Sequence, residues 1–174
     1  MRTFVIGDIH GDLAALRALM AKLPAPEPSD TLVFLGDYLD RGPDSAGVIE
    51  AVRRLQHHAP CKVVALRGNH EDAWLRVLER GWPEFVLPKG NGCLAAMRSF
   101  TGRPQPLQGE GPSEDEIDAL FGGWFFPADV AAWLRELPWF YEDEHAIYVH
   151  AGLVEQAQGT FAHPSAIDPP IAML

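Results

Sequence analysis

Short apolar runs and helical periods take turns along the first eighty residues. "RTFVI" (2–6) reads as a strand and is followed by Gly7. In "DLAALRALMAKL" (12–23) the apolar positions Leu13, Leu16, Leu19, Met20 and Leu23 recur with a helical period. "PAPEPSD" (24–30) is a loop by its prolines. "TLVFL" (31–35) is a second buried strand. "DSAGVIEAVRRLQ" (44–56) predicts a helix capped by Asp44 or Ser45, with Val48, Ile49, Val52 and Leu55 inward. "CKVVAL" (61–66) is a third strand, and a helix follows from about Glu71 to Arg80. This order implies parallel strands, right-handed crossovers and helices packed on the sheet, an α/β (α+β) architecture.

The rhythm then changes. "WPEFVLPKGNG" is broken by Pro and Gly, and "CLAAMRSF" (93–100) is helical. "GRPQPLQGEGPSEDE" (102–116) is expected to be polar and flexible. "PADVAAWLREL" (127–137) is a helix with Pro127 in its first turn and Val130, Trp133, Leu134 and Leu137 on one face. Residues 82–137 together read as a helical insertion over the mouth of the sheet. "WFYEDEHAIYVH" (139–150) predicts a hairpin turning near "EDEH". The tail shows few periodic features and ends on the apolar "IAML", which suggests a chain truncated at its C-terminus.

Polar clusters sit at the strand ends: "GDIHG" (7–11), "GDYLDRG" (36–42), "GNHED" (68–72) and, after the hairpin, "VHAG" (149–152). Carboxyl ends of parallel strands share one edge, where ligands bind. Asp8, His10, Asp37, Asn69, His70 and His150 are therefore expected to converge. Aspartate oxygen and imidazole nitrogen without cysteine suit Mn²⁺, Fe²⁺ or Zn²⁺. That many donors exceed the need of one ion and suggest two divalent metals sharing a carboxylate. Arg41 is placed to clamp a phosphate. The plainer alternative is a set of turn and cap residues, with Arg41 merely paired to a carboxylate.

With 174 residues, one domain is the default. The formal net charge of −10 argues against broad contact with nucleic acid or anionic lipid, and fits either metal-ligating carboxylates or a solubilising surface. No apolar run approaches a membrane span, and "MRTFVIGD" turns polar too soon for a signal peptide, so a cytoplasmic location is expected. Cys61 and Cys93 read as small hydrophobes in a reducing compartment. Asp12 and Asp72 are expected to favour helix dipoles from a first turn, and Arg67 to be structural. His57, His58 and His145 are expected to face solvent. Trp74, Trp82, Trp124, Trp133 and Trp139 are read as packing.

The order GDxHG, GDxxDRG, GNHE, HAG resembles the calcineurin-like metallophosphoesterases, in particular the phosphoprotein phosphatase branch and its small bacterial serine/threonine phosphatase-like members. "LRGNHED", "NGCLAAM" and "ELPWFYEDEHAIYVHAGL" are also similar to those proteins, and the likeness covers roughly residues 1–153. It implies a β-sandwich flanked by helices, formed by a single, incomplete domain over residues 1–174. It implies that Asp8 and His10 ligate a first metal, that Asp37 bridges, and that Asn69 and His150 ligate a second. His70 would protonate or hydrogen-bond the leaving oxygen, Asp40 would orient its ring, and Arg41 and Asn69 would contact substrate.

The family's later "GH" motif has no counterpart. His163, in "FAHPSA", is the one histidine after His150, and no Arg follows Arg135. The expectation is a serine/threonine phosphatase or other phosphomonoesterase, acting on a phosphoprotein or a small phosphate ester by attack of a bridging hydroxide, with manganese as the first-choice metal. A symmetric dinucleoside tetraphosphate hydrolase is the alternative, disfavoured by Asp40 and Glu71. A non-catalytic metal-binding remnant is the third reading. Self-association through unpaired C-terminal strands is a further expectation.

Overall fold

The computed structural model describes residues 1–167. β1 (Thr3–Ile6), β2 (Thr31–Phe34) and β3 (Lys62–Ala65) form a parallel sheet in the order β1-β2-β3. Phe4 lies opposite Leu32, and Leu32 opposite Val63. β2 is fully buried because it has a neighbour on each side and no charged residue. The crossovers are α1 (Leu13–Lys22) and α2 (Ser45–His58). Asp12 and Asp44 are their N-caps, accepting from Ala15 N–H and Gly47 N–H at 2.8 and 2.9 Å. Asp12 thus precedes the helix rather than lying in its first turn. Leu13 and Leu16 enter the core with Val48, Ile49 and Val52. Leu19, expected inward, is exposed, while Met20 and Leu23 beyond it still pack partly against the core.

After β3, α3 runs from Asn69 to Arg80. Four further helices follow: α4 (Pro83–Val86), α5 (Cys93–Thr101), α6 (Glu114–Gly122) and α7 (Ala128–Glu136). They close over Trp74, whose ring meets Phe85, Phe125 and Phe126 edge-on with centroids 5.6, 5.1 and 5.2 Å away. Trp124, expected to pack, is instead 69% exposed, set outward by the left-handed Gly123 before it.

The stretch 102–116 is not a free loop. Arg98 donates Nε–H to Glu116 at 2.8 Å and Nη2–H to Glu110 at 2.7 Å. Ser113 and Glu116 form a capping box that starts α6 inside the stretch that looked flexible.

β4 (Phe140–Glu142) and β5 (Ile147–Val149) form the expected antiparallel hairpin. Three contacts lay it across the sheet. Arg67 N–H donates to Pro138 O at 2.9 Å, Thr3 Oγ1 donates to Asp143 at 3.2 Å, and His150 Nδ1 donates to Leu35 O at 3.1 Å. A small second hairpin follows, β6 (Glu155–Ala157) and β7 (Thr160–Phe161), where the sequence showed little pattern. Gln158 and Gly159 both have positive φ, as a type I′ turn requires. The apolar "IAML" end lies outside the described residues. Among the described residues, no helix is long and apolar enough to cross a membrane.

Candidate metal centre at the carboxyl edge of the sheet

Three loops leave the ends of β1, β2 and β3 and are laced together by backbone hydrogen bonds. Ile9 and His10 N–H both donate to Asp37 O, at 3.0 and 2.8 Å, and Gly11 N–H donates to Tyr38 O at 2.9 Å. Gly42 N–H returns to His10 O at 2.8 Å. The third loop is tied in by Glu71, which is fully buried. Its carboxylate accepts from Asp37 N–H at 2.7 Å, Tyr38 N–H at 2.9 Å and Gly68 N–H at 2.9 Å.

This lacing holds four non-glycine residues in the left-handed region: His10 (φ 46°), Asp37 (53°), Asp40 (72°) and Arg41 (64°). Each such residue stores on the order of 1–3 kcal/mol of strain, which persists only where surroundings enforce it. Gly68 has to be glycine, because a Cβ there would collide with Asp37.

All six expected donors meet. His10, Asp37 and His70 form one donor group, and Asp8, Asp37 and His150 a second, each with its ligand atoms within 4.8 Å of one another. Asp37 belongs to both. His10 Nε2 is 3.5 Å from Asp37 and 3.8 Å from Asp8, while His150 Nε2 is 3.5 Å from Asp37 and 2.9 Å from Asn69 Oδ1. His163 belongs to neither group; it contacts Glu142 at 3.1 Å.

The tautomers suit cation binding. His10 Nδ1 donates to Leu39 O at 2.9 Å and His150 Nδ1 to Leu35 O, so both rings turn Nε2 toward the acidic cluster as the atom a cation would take. These nitrogens and the carboxylates of Asp8 and Asp37 converge with few protons among them, and that donor set fits divalent cations. The Arg41 guanidinium fills part of the space, donating Nη1–H to His10 Nε2 at 2.8 Å and lying 3.4 Å from His70 Nε2.

His70 is fixed from behind. Its Nδ1 bonds Asp40 at 2.6 Å, and Asp40 also accepts from Trp74 Nε1 at 3.0 Å. Burial pushes the Asp40 carboxyl up. Burial also opposes charge on His70, yet the Asp40 hydrogen bond and the nearby Asp37 and Glu71 carboxylates outweigh it and raise its pKa. Burial and the Asp37 carboxylate push Glu71 up to about 7 against the three N–H groups that favour its charge.

Glu71 and Trp74 are the site-building residues that motif reading missed. The capping position of Glu71, three residues after Gly68, was the available signal. Arg67 is structural as expected: it donates to Arg135 O at 2.6 Å and lies over the Trp139 ring.

Residues 1–162 match the calcineurin-like phosphoesterase family. The chain belongs to that family. It is 41% identical over 161 residues to the symmetrical bis(5'-nucleosyl)-tetraphosphatase of Pectobacterium atrosepticum, covering 90% of this chain and 45% of that protein. It is 42% identical over 159 residues to the protein of the same name from Photorhabdus laumondii, covering 90% and 46%. The chain spans about half the length of the curated relatives it matches.

Among solved structures it resembles a protein described only provisionally as a diadenosine tetraphosphatase, with a TM-score of 0.58 and 24% identity over 92% of this chain and 55% of that one. This likeness carries the fold alone. The coarse family expectation holds, with its metallophosphoesterase fold and its divalent-metal chemistry. The finer expectation, the phosphoprotein phosphatase branch, is not what these relatives carry. The motifs specify a metal centre that several substrate classes share, so they did not discriminate.

Proposed function

We propose that this chain carries the metal-dependent catalytic centre of a phosphoric anhydride hydrolase that splits a symmetrical dinucleoside tetraphosphate into two nucleoside diphosphates. The observation that carries the chemistry is Asp37, common to two donor groups with Arg41 beside them. The names of relatives 41–42% identical over nine-tenths of the chain favour the substrate class.

In this reading Asp8, His10, Asp37, Asn69 and His150 hold two divalent cations, with manganese, iron or zinc suited to the donors. Such ions, when bound, polarise phosphoryl oxygens and lower the pKa of water. Arg41 swings from His10 to hold a phosphoryl oxygen through its fork of donors. His70 offers a proton or hydrogen bond to the leaving diphosphate oxygen. Its raised pKa suits that task, and Asp40 stabilises the imidazolium and fixes the ring.

A second reading, a serine/threonine phosphatase, uses the same residues. It rests on Asp40 in "DRG" and Glu71 in "GNHE". Parallel turnover assays with Mn²⁺ on diadenosine tetraphosphate and on a phosphoserine peptide separate the two. Adenosine diphosphate as sole nucleotide product supports the first. Phosphate release from the peptide alone replaces it with the second.

A further inference from the structure

Beside the metal centre lies a cleft that the phosphate chemistry leaves unused. Its volume is about 300 Å³, and Arg41 is part of its wall. The connection is built in, because Arg41 N–H donates to Gly92 O at 3.3 Å, and Gly92 opens α5 on the far side. The remaining wall is mostly apolar, with Leu87, Leu94, Pro106 and Leu107 prominent. Leu87 is 48% exposed and Leu107 78%, the highest value for a large apolar side chain among the described residues. Exposing two leucines on facing loops costs solvation free energy unless something apolar lies between them.

The loop carrying Leu107 is held rather than loose. Lys89 Nζ donates to Gly109 O at 2.5 Å, and Leu107 N–H donates to Glu110 at 2.8 Å. Glu110 is paired with Arg98 at 2.7 Å, a guanidinium it shares with Glu116, so its negative charge in the cleft is reduced. Among the described residues Lys89 Nζ meets one acceptor, Gly109 O, and with Arg41 it supplies cationic groups to the rim. A preformed apolar slot with a cationic edge suits a flat, weakly polar ring joined to phosphates. Its volume is at the small end of ligand pockets, roughly 300–1,000 Å³, room for one base and its sugar rather than an extended peptide.

We propose that this cleft is the nucleoside subsite, with the base between Leu87 and Leu107, Lys89 at the sugar or first phosphate, and the phosphate chain passing Arg41 to the metal centre. The proposal rests on a nucleotide being the substrate. It is tested by binding, so that it stands or falls apart from turnover. In Mn²⁺-loaded protein, calorimetric titration compares adenosine diphosphate with pyrophosphate, which carries the same anhydride without the nucleoside. The expected result is adenosine diphosphate about tenfold tighter, the span of one well-packed apolar contact.

Leu107→Ala and Leu87→Ala, both on exposed positions and neutral in charge, are expected to remove most of that advantage and leave pyrophosphate affinity unchanged. Equal or absent binding of the two anions by the unmodified protein overturns the subsite. So does an equal loss of both in the variants, or leucine-dependent binding of a phosphopeptide without any of adenosine diphosphate. If the base-dependent advantage appears and the tetraphosphate is nevertheless not split, the subsite holds and the proposed reaction fails. If the tetraphosphate is split without a base-dependent advantage, the reverse follows.

Discussion

The Glu71 carboxylate bonds the backbone N–H of Asp37 at 2.7 Å, thirty-four residues away, and so aims the carboxylate that both donor groups share. Glu71 touches no substrate in the proposed reading. It governs the centre by fixing the left-handed turn on which Asp37 stands.

Glu71→Gln is therefore expected to cost about 2 kcal/mol or more of folding stability, because an amide places donor against donor in a buried setting. Urea unfolding of the metal-free protein reads this, and metal affinity should fall in parallel. A variant as stable as the parent would contradict the anchoring role.

Asp37→Asn tests the shared carboxylate directly. Elemental analysis after Mn²⁺ loading is expected to give near two metals per chain for the parent and one or fewer for the variant. An unchanged stoichiometry would remove Asp37 from the bridging position.

Asp40→Asn keeps an oxygen for Trp74 Nε1 and His70 Nδ1–H but withdraws the charge behind the ring. The expected effect is a kcat lower by about 10–100-fold with KM little changed. A pure KM effect would assign Asp40 to binding instead.

Glu116 supplies a pH test away from the metal centre. The Arg98 hydrogen bond, against the cost of burial, holds its carboxyl down at about 2. A depressed folded pKa gives stability that is present above the ordinary glutamate range and lost as pH falls through that range toward 2. Glu116→Gln should be less stable than the parent by about 2 kcal/mol at neutral pH. The two should converge in thermal melts between about pH 4.5 and pH 2. A pH-independent difference would mean that the ion pair contributes through packing alone.

The parallel sheet and the donor set were legible because each rests on local pattern. "TLVFL" has no charge and is buried on both faces, and Asp8, Asp37 and Asn69 follow strands whose ends topology forces together. The hairpin was legible from its length and its polar turn. α6 was not, because Gly109, Gly111 and Pro112 before it read as loop, and the long-range Arg98–Glu116 bond that holds it has no local signature. Trp74 is similar: its type announces packing, while the bond from Nε1 to Asp40 depends on chain segments thirty-four residues apart. The left-handed turns at His10, Asp37, Asp40 and Arg41 were also hidden, since backbone strain is imposed by neighbours rather than by residue type. The substrate branch failed to show because the motif letters describe the handling of phosphorus, whereas in the proposed reading selectivity resides in a loop outside them, the one carrying Leu107.

His150 reaches its donor group from a hairpin, and the carbonyl that orients it, Leu35 O, lies 115 residues earlier. During synthesis at ~5–20 residues per second, that separation is a wait of roughly 6 to 23 seconds. One donor triad is complete once His70 has left the ribosome; the other stays open until the hairpin docks. In the proposed reading the ligands carried by the sheet loops are therefore made long before His150, and the cation site that needs the hairpin is the last to close.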